Sequence, residues 1–405
     1  MERWLGIDHK DKSEEKREEE IEIEDIFVGG VWNKIFESST KYVRKYVEEV
    51  KSRRDELTTL LERARKDVRK IPELTRKYKI AVVDSSYTPM SLDTYAGSLY
   101  LVILGYLIYP TRIPPRITAY IYSSEIIGSE EEEPEYKISK IAKLNELKSL
   151  KLLLHKRENN EVEFDVIVRD GDMPPAEVFF FKQTKYLTKV KKTSAQVFSH
   201  AKSLGVGVAG IVKRIRSSLL SYKYLNIART PSFMSDAFIS RVLLNPGEYI
   251  YIGKYGDIID KESNLTLAAG YFMNAIKSGY RCLQVLDEYP EFKDVHILYY
   301  RSFHPTAPPV KLLLYNVNPS EFVSFCSHRG KKGYPSFLNL IDMAVLTYST
   351  SINLEALLTL ALKKASEDIL RETKEKINIS FAFDPLNRQK AELFYRIIRG
   401  EKLTE

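Results

Sequence analysis

The chain has 405 residues, 44% hydrophobic and 29% charged, enough to bury a large core in one elaborated domain or two. Its 62 Lys and Arg exceed its 55 Asp and Glu by seven, which leans towards a polyanionic partner. Two cysteines exclude a disulfide framework and match no zinc spacing; no apolar run is long enough to span a bilayer, and the charged opening is no signal peptide, so a cytoplasmic, reducing setting without membrane attachment is expected.

The charge run Asp11 to Glu24 reads as a solvated helix or a disordered arm. A long helix is predicted from Phe36 to Ile71, with Ser38, Ser39 and Thr40 as caps and Tyr42, Val43, Tyr46, Val47 and Val50 as the apolar stripe. Its Lys- and Arg-rich outer face is either solvated or a surface for DNA or a partner. Residues 1–75 are taken as this arm and helix.

Ile80 to Tyr87, IAVVDSSY, reads as a buried strand with a turn signal directly after Asp84. Ser98 to Tyr109 and Ile117 to Ser123 are predicted as a meander antiparallel to it. The like-charge run Ser129 to Glu135 reads as a solvated linker. Ile138 to Lys156 is an amphipathic helix with Ala142, Glu146, Ser149, Leu150 and Leu153 on one face. Glu146 is the odd member. Either it sits at the stripe's edge beside a lysine, or it is buried and needs a partner or a metal.

Phe164 to Pro175, FDVIVRDGDMPP, repeats the first design: a buried strand ending in a carboxylate, Asp170, before a turn. Ligands sit beyond the carboxyl ends of strands in helix-covered sheets, so Asp84 and Asp170 are either a pair at one end of one sheet or two solvated turn aspartates. A helix over Tyr186 to Leu204 feeds the glycine-rich strand Gly205 to Arg214. Lys213 and Arg214 end that strand, as surface cations or as holders of a phosphate.

Further on, helices are predicted over Ser235 to Leu244, Leu265 to Tyr289, Pro335 to Thr347, Leu354 to Lys376 and Pro385 to Arg399. His296 to Phe303 and Pro309 to Val317 form a hairpin whose Tyr299, Tyr300 and Phe303 are core residues or base-stacking platforms. The basic loop around His328, Arg329, Lys331 and Lys332 is a candidate for DNA phosphates, and no histidine has the company of a zinc motif. Strands and helices are mixed without strict alternation, which predicts an α/β fold with a mixed sheet.

Five of these stretches, IAVVDSSY, LNELKSLKLLL, VIVRDGDMPP, HAKSLGVGVAGIVKR and GYPSFLNLIDMA, resemble in order the motifs of the NurA nucleases of archaea and some bacteria, over about Ile80 to Ser349. The resemblance implies an RNase H-like mixed sheet flanked by helices over residues 76–350, with a helical C-terminal extension from 351 to 405. It implies a Mn2+-dependent DNA nuclease (Mg2+ as substitute, two ions) with 5′–3′ exonuclease and single-strand endonuclease activity. It also implies a homodimer working with a HerA-type hexameric ATPase in resecting DNA ends for double-strand break repair. Asp84, Glu146 and Asp170 then become metal and catalytic carboxylates, Lys213 and Tyr334 catalytic residues, and Asp342 a metal ligand where the family often has histidine. Lys213, Arg214, Arg329, Lys331 and Lys332 become DNA contacts. Oxygen ligands suit Mn2+ and Mg2+. Three departures, Ser85 for glycine, Asp172 for serine and Asp342 for histidine, also fit a weakly active paralogue that serves as a DNA-binding or assembly subunit. A small-molecule phosphatase built on the Asp-Gly-Asp stretch lacks a phosphate-cradling loop.

Overall fold

A computed structural model describes residues 30–87, 92–94, 97–110, 114–123, 134–179, 184–215, 217–225, 235–258, 282–328, 330–331 and 334–351. The expected arm over 11–24, most of the helix expected over 265–289 and both helices expected after 351 lie outside them. The described residues fall into two compact units, one up to Tyr78 and from Asp165 to Ser336, the other from Lys79 to Phe164 and from Phe337 on.

The first unit opens with helices α1 (Gly30–Ser52) and α2 (Arg54–Arg65) and strand β1 (Val68–Lys70). The single helix expected over 36–71 is therefore broken after Ser52 and ends in a strand. Pro72 disfavours a helical Ile71, and the ladder to Ile250, Tyr249 and Glu248 satisfies the extended backbone before it. Tyr42, Val43 and Val47 of the expected stripe are exposed; the side chain of Tyr46 lies outside the described residues.

The second unit holds β2 (Ile80–Tyr87), β3 (Leu92–Thr94), β4 (Gly97–Tyr109), β5 (Arg116–Ser123) and α3 (Pro134–Glu158). The meander is antiparallel as expected, β4 pairing with β2, β3 and β5. Ile80 to Val83 are buried. The turn expected after Asp84 is absent: eight of the 13 residues of β4, Val102 to Tyr109, pair with all eight of β2, so ladder bonds carry the backbone on through Ser85 and Ser86. Helix α3 starts at Pro134, inside the run read as a linker, with proline in the position whose amide would lack a partner anyway.

The chain returns to the first unit with β6 (Val166–Asp170), α4 (Lys185–Ser203), β7 (Gly207–Val212), α5 (Leu219–Leu225), α6 (Asp236–Leu243) and β8 (Glu248–Lys254). It continues with α7 (Cys282–Glu288), β9 (His296–Arg301), β10 (Val310–Tyr315), α8 (Pro319–His328) and two-residue strands β11 (Gly330–Lys331) and β12 (Tyr334–Pro335). Its sheet runs β1-β8-β9-β10-β7-β6. Only β6 and β7 are parallel, joined by the crossover helix α4, so the sheet is mixed and flanked by helices. Thr184 accepts the Leu187 amide to start α4. The β9–β10 hairpin forms as expected, and burial of Tyr299 and Tyr300 makes them core, not stacking platforms. Strand β8 and helix α8 were not anticipated, although Asn318 is a local helix signal: its Oδ1 accepts the amides of Ser320 and Glu321. Helix α9 (Ser336–Ser351) places its buried Phe337, Leu338, Ile341 and Val345 in the second unit. Among the described residues no helix is long and apolar enough to cross a membrane.

Candidate metal centre

In the second unit, Asp84 stands where β2 passes from buried to half-buried. Its Oδ1 accepts the Ser85 amide at 2.8 Å, and the Ser85 hydroxyl donates to Glu146 Oε1. Glu146 is 5% exposed on the buried face of α3, among Ala142, Leu147 and Leu150. A carboxylate at that depth is stable only with donors or a cation beside it. Ser85 therefore joins the two carboxylates through one residue.

Asp342 arrives from α9. Across the ladder from Asp84 stands Gly105. A Cβ there would meet Val345 at 2.7 Å and Ile117 and Ile341 at 2.9 Å, so the missing side chain lets α9 lie against β4. This close approach brings carboxylate oxygens of Asp342 and Asp84 within 4.8 Å of each other. Two ionised carboxylates at such a distance repel unless positive charge intervenes. An all-oxygen donor set of this kind suits a hard divalent cation.

In the first unit, Asp170 ends β6 where the sequence places the turn. Gly171 follows at φ 121°, in the region that favours glycine, and its amide donates to Ile211 at 2.8 Å. Lys213, just past β7, forms an ion pair with Asp170 at 2.6 Å. Arg214 is exposed. Asp172 does not add a bare negative charge here. Lys311 Nζ lies 2.9 Å from its Oδ1, and Arg169 Nη1 donates to its carbonyl at 2.6 Å. Burial pulls the Lys311 ammonium down, but Asp172, together with Tyr255 and Asp236, outweighs it and leaves its pKa above the ordinary lysine value. Lys311 and Arg169 are both buried, so two cations clamp the turn that follows Asp170.

The same turn rests on Gly210 of β7. A Cβ at 210 would fall 2.5 Å from the Met173 nitrogen and 2.7 Å from the Gly171 carbonyl oxygen, both backbone atoms. Gly210→Ala is therefore expected to destabilise the chain by about 1–3 kcal/mol or more, since backbone must move to admit the methyl group. Urea unfolding of the purified variant measures this, and an unchanged midpoint would mean the turn is not seated on β7.

Tyr334 is half-buried in the β11–β12 ladder opposite Lys331. Arg329 and Lys332 lie outside the described residues, as does the side chain of Lys331. His328 is engaged locally, its Nδ1 2.8 Å from the Ser324 carbonyl oxygen and its ring against Phe303. Sequence reasoning missed Lys311 and Gly105, whereas the glycines of the strand Gly205 to Arg214 are residue types that allow close backbone approach, as Gly210 does here. Lys311 left one trace, a lone cation in the apolar run VKLLLY, which in a buried strand demands a carboxylate.

No family model matches the sequence, and no curated protein matches it. Among solved structures, the chain is similar to the NurA nuclease from Sulfolobus solfataricus, with TM-score 0.47 and 13% identity over 81% of this chain and 98% of that one. It is similar to NurA bound to dAMP and manganese, with TM-score 0.46 and 12% identity over 80% and 96% of the two chains. It is also similar to endonuclease V from Bacillus subtilis, with TM-score 0.32 and 13% identity over 72% and 89%.

Proposed function

We propose that this chain is a divergent NurA-like, metal-dependent deoxyribonuclease with an RNase H-like core. The observation that carries the reading is the second unit's carboxylate arrangement. Asp84 and Glu146 are joined through Ser85, Asp342 lies within 4.8 Å of Asp84, and these are the positions the sequence motifs single out. Asp84, Glu146 and Asp342 would hold the divalent ions, Mn2+ or Mg2+, and Asp170 is the further carboxylate of the proposed ligand set. When bound, such ions supply an activated water and neutralise charge on the scissile phosphate and its leaving oxygen.

The chain's own groups have distinct tasks in this reading. The Ser85 hydroxyl holds Glu146 in one orientation. Lys213 neutralises Asp170 before substrate binds, and its ammonium is then available to the charge that develops on the phosphate. The Lys311 and Arg169 clamp keeps the Asp170 turn in place. Tyr334 is assigned the role of the family tyrosine, and Arg214, Arg329, Lys331 and Lys332 are assigned to backbone phosphates. The 5′–3′ polarity, end resection in double-strand break repair, homodimerisation and docking on a HerA-type ATPase belong to the same proposal.

Purified chain is expected to degrade labelled single-stranded DNA with Mn2+, to stop on addition of excess EDTA and to resume when Mn2+ is restored. Gel electrophoresis of the products reads the result. Cleavage indifferent to EDTA sinks the metal assignment. Salt-sensitive DNA binding without any cleavage in Mn2+ would identify the assembly-subunit reading instead.

A further inference from the structure

We propose that a cavity at the outer strand of the first unit's sheet is a second contact point for single-stranded nucleic acid, taking one nucleotide by its phosphate. The cavity, of about 210 Å3, is lined by Arg69, Tyr249, Tyr251, His296, Asn318 and Ser320. It rests on the nuclease reading only for the kind of ligand.

Arg69 and Tyr249 face each other across the β1–β8 ladder. Tyr249 is 7% exposed, and its hydroxyl has no hydrogen-bond partner among the described residues. Arg69 makes no ion pair or hydrogen bond among them, although its charge helps hold the Asp67 carboxyl below its ordinary pKa. Other polar groups of the wall are engaged with one another. The Tyr251 hydroxyl and His296 Nδ1 share a 2.8 Å hydrogen bond, and the Ser320 hydroxyl donates to Asn318 Oδ1 at 2.8 Å. What remains open is a guanidinium and a nearly buried phenol with no acceptor, a pair that complements an anionic oxygen. The first turn of α8 meets the wall at Asn318 and Ser320, and the positive end of its dipole favours the same ligand.

Phosphate and carboxylate both satisfy that chemistry, and the aromatic wall decides between them. The rings of Tyr251 and His296, with centroids 5.8 Å apart, offer π faces that a base can use and a carboxylate side chain cannot.

The test measures binding without cleavage: fluorescence anisotropy of a labelled oligothymidylate with the full chain carrying Asp84→Asn, in the absence of divalent metal. Arg69→Ala and Tyr249→Phe are each expected to weaken binding about tenfold, the scale of one hydrogen bond to a charged group. Arg54→Ala, which removes the same charge from an exposed position of α2, is expected to weaken it far less. Tyr249→Phe keeps the buried ring, so an unchanged melting temperature shows that the loss is not unfolding. Wild-type affinity in both Arg69→Ala and Tyr249→Phe overturns the proposal. So does displacement of the oligonucleotide by polyglutamate but not by unlabelled oligothymidylate, which would assign the cavity to an acidic peptide. A chain that never cleaves DNA can still pass or fail this test, so its failure is separable from failure of the nuclease reading.

Discussion

Asp84→Asn is expected to lower Mn2+-dependent cleavage of single-stranded DNA by more than about a hundredfold, beyond what loss of an outer-shell partner typically costs. The substitution is nearly isosteric. Asn keeps an oxygen for the Ser85 amide, so β2 and its ladder to β4 should persist. What disappears is one negative charge facing Asp342. The melting temperature without metal is the baseline against which each chain is read. Added Mn2+ stabilises a folded chain in proportion to the logarithm of its concentration over the dissociation constant, and this increment should shrink in the variant. Thermal melts with and without Mn2+ therefore report on the site independently of activity. Full cleavage and a full Mn2+ increment in Asp84→Asn would remove Asp84 from the centre.

Asp172→Ala is expected to cost about 3–5 kcal/mol of stability, the range for deleting one partner of a buried ion pair, and to fall towards its lower end because Asp172 is partly exposed. Lys311 is buried, so without its carboxylate it is left either as an uncompensated charge or with its proton lost to burial, and both cost stability. The second variant, Asp172→Ala with Lys311→Met, replaces the ammonium by an apolar chain of similar length and should recover much of the loss. Urea midpoints of the two single variants and the double variant give the coupling. Additive losses would show that the 2.9 Å contact does not hold the turn.

These experiments bear on two kinds of residue. Glu146 and Asp170 announced themselves along the chain, the first as a carboxylate inside an apolar helical stripe, the second as the end of a β-branched run before Asp-Gly. The burial of Glu146 and the strand end at Asp170 agree with that reading. Asp84 carried the same kind of signal, yet β2 continues past it. Turn propensity at Asp-Ser-Ser is worth little against a neighbouring strand long enough to pair through Tyr87.

Hydrophobic periodicity and turn chemistry act over a few residues, which is why the amino-acid sequence by itself determined the meander, the hairpin, the helix that feeds the glycine-rich strand and the acidic positions. Contacts between residues far apart in the chain are set by packing, and no local pattern encodes them. Only tertiary structure decided that Gly105 leaves room for α9, that Asp342 thereby meets Asp84, that Ser85 reaches Glu146, and that Lys311 claims Asp172 from 139 residues away.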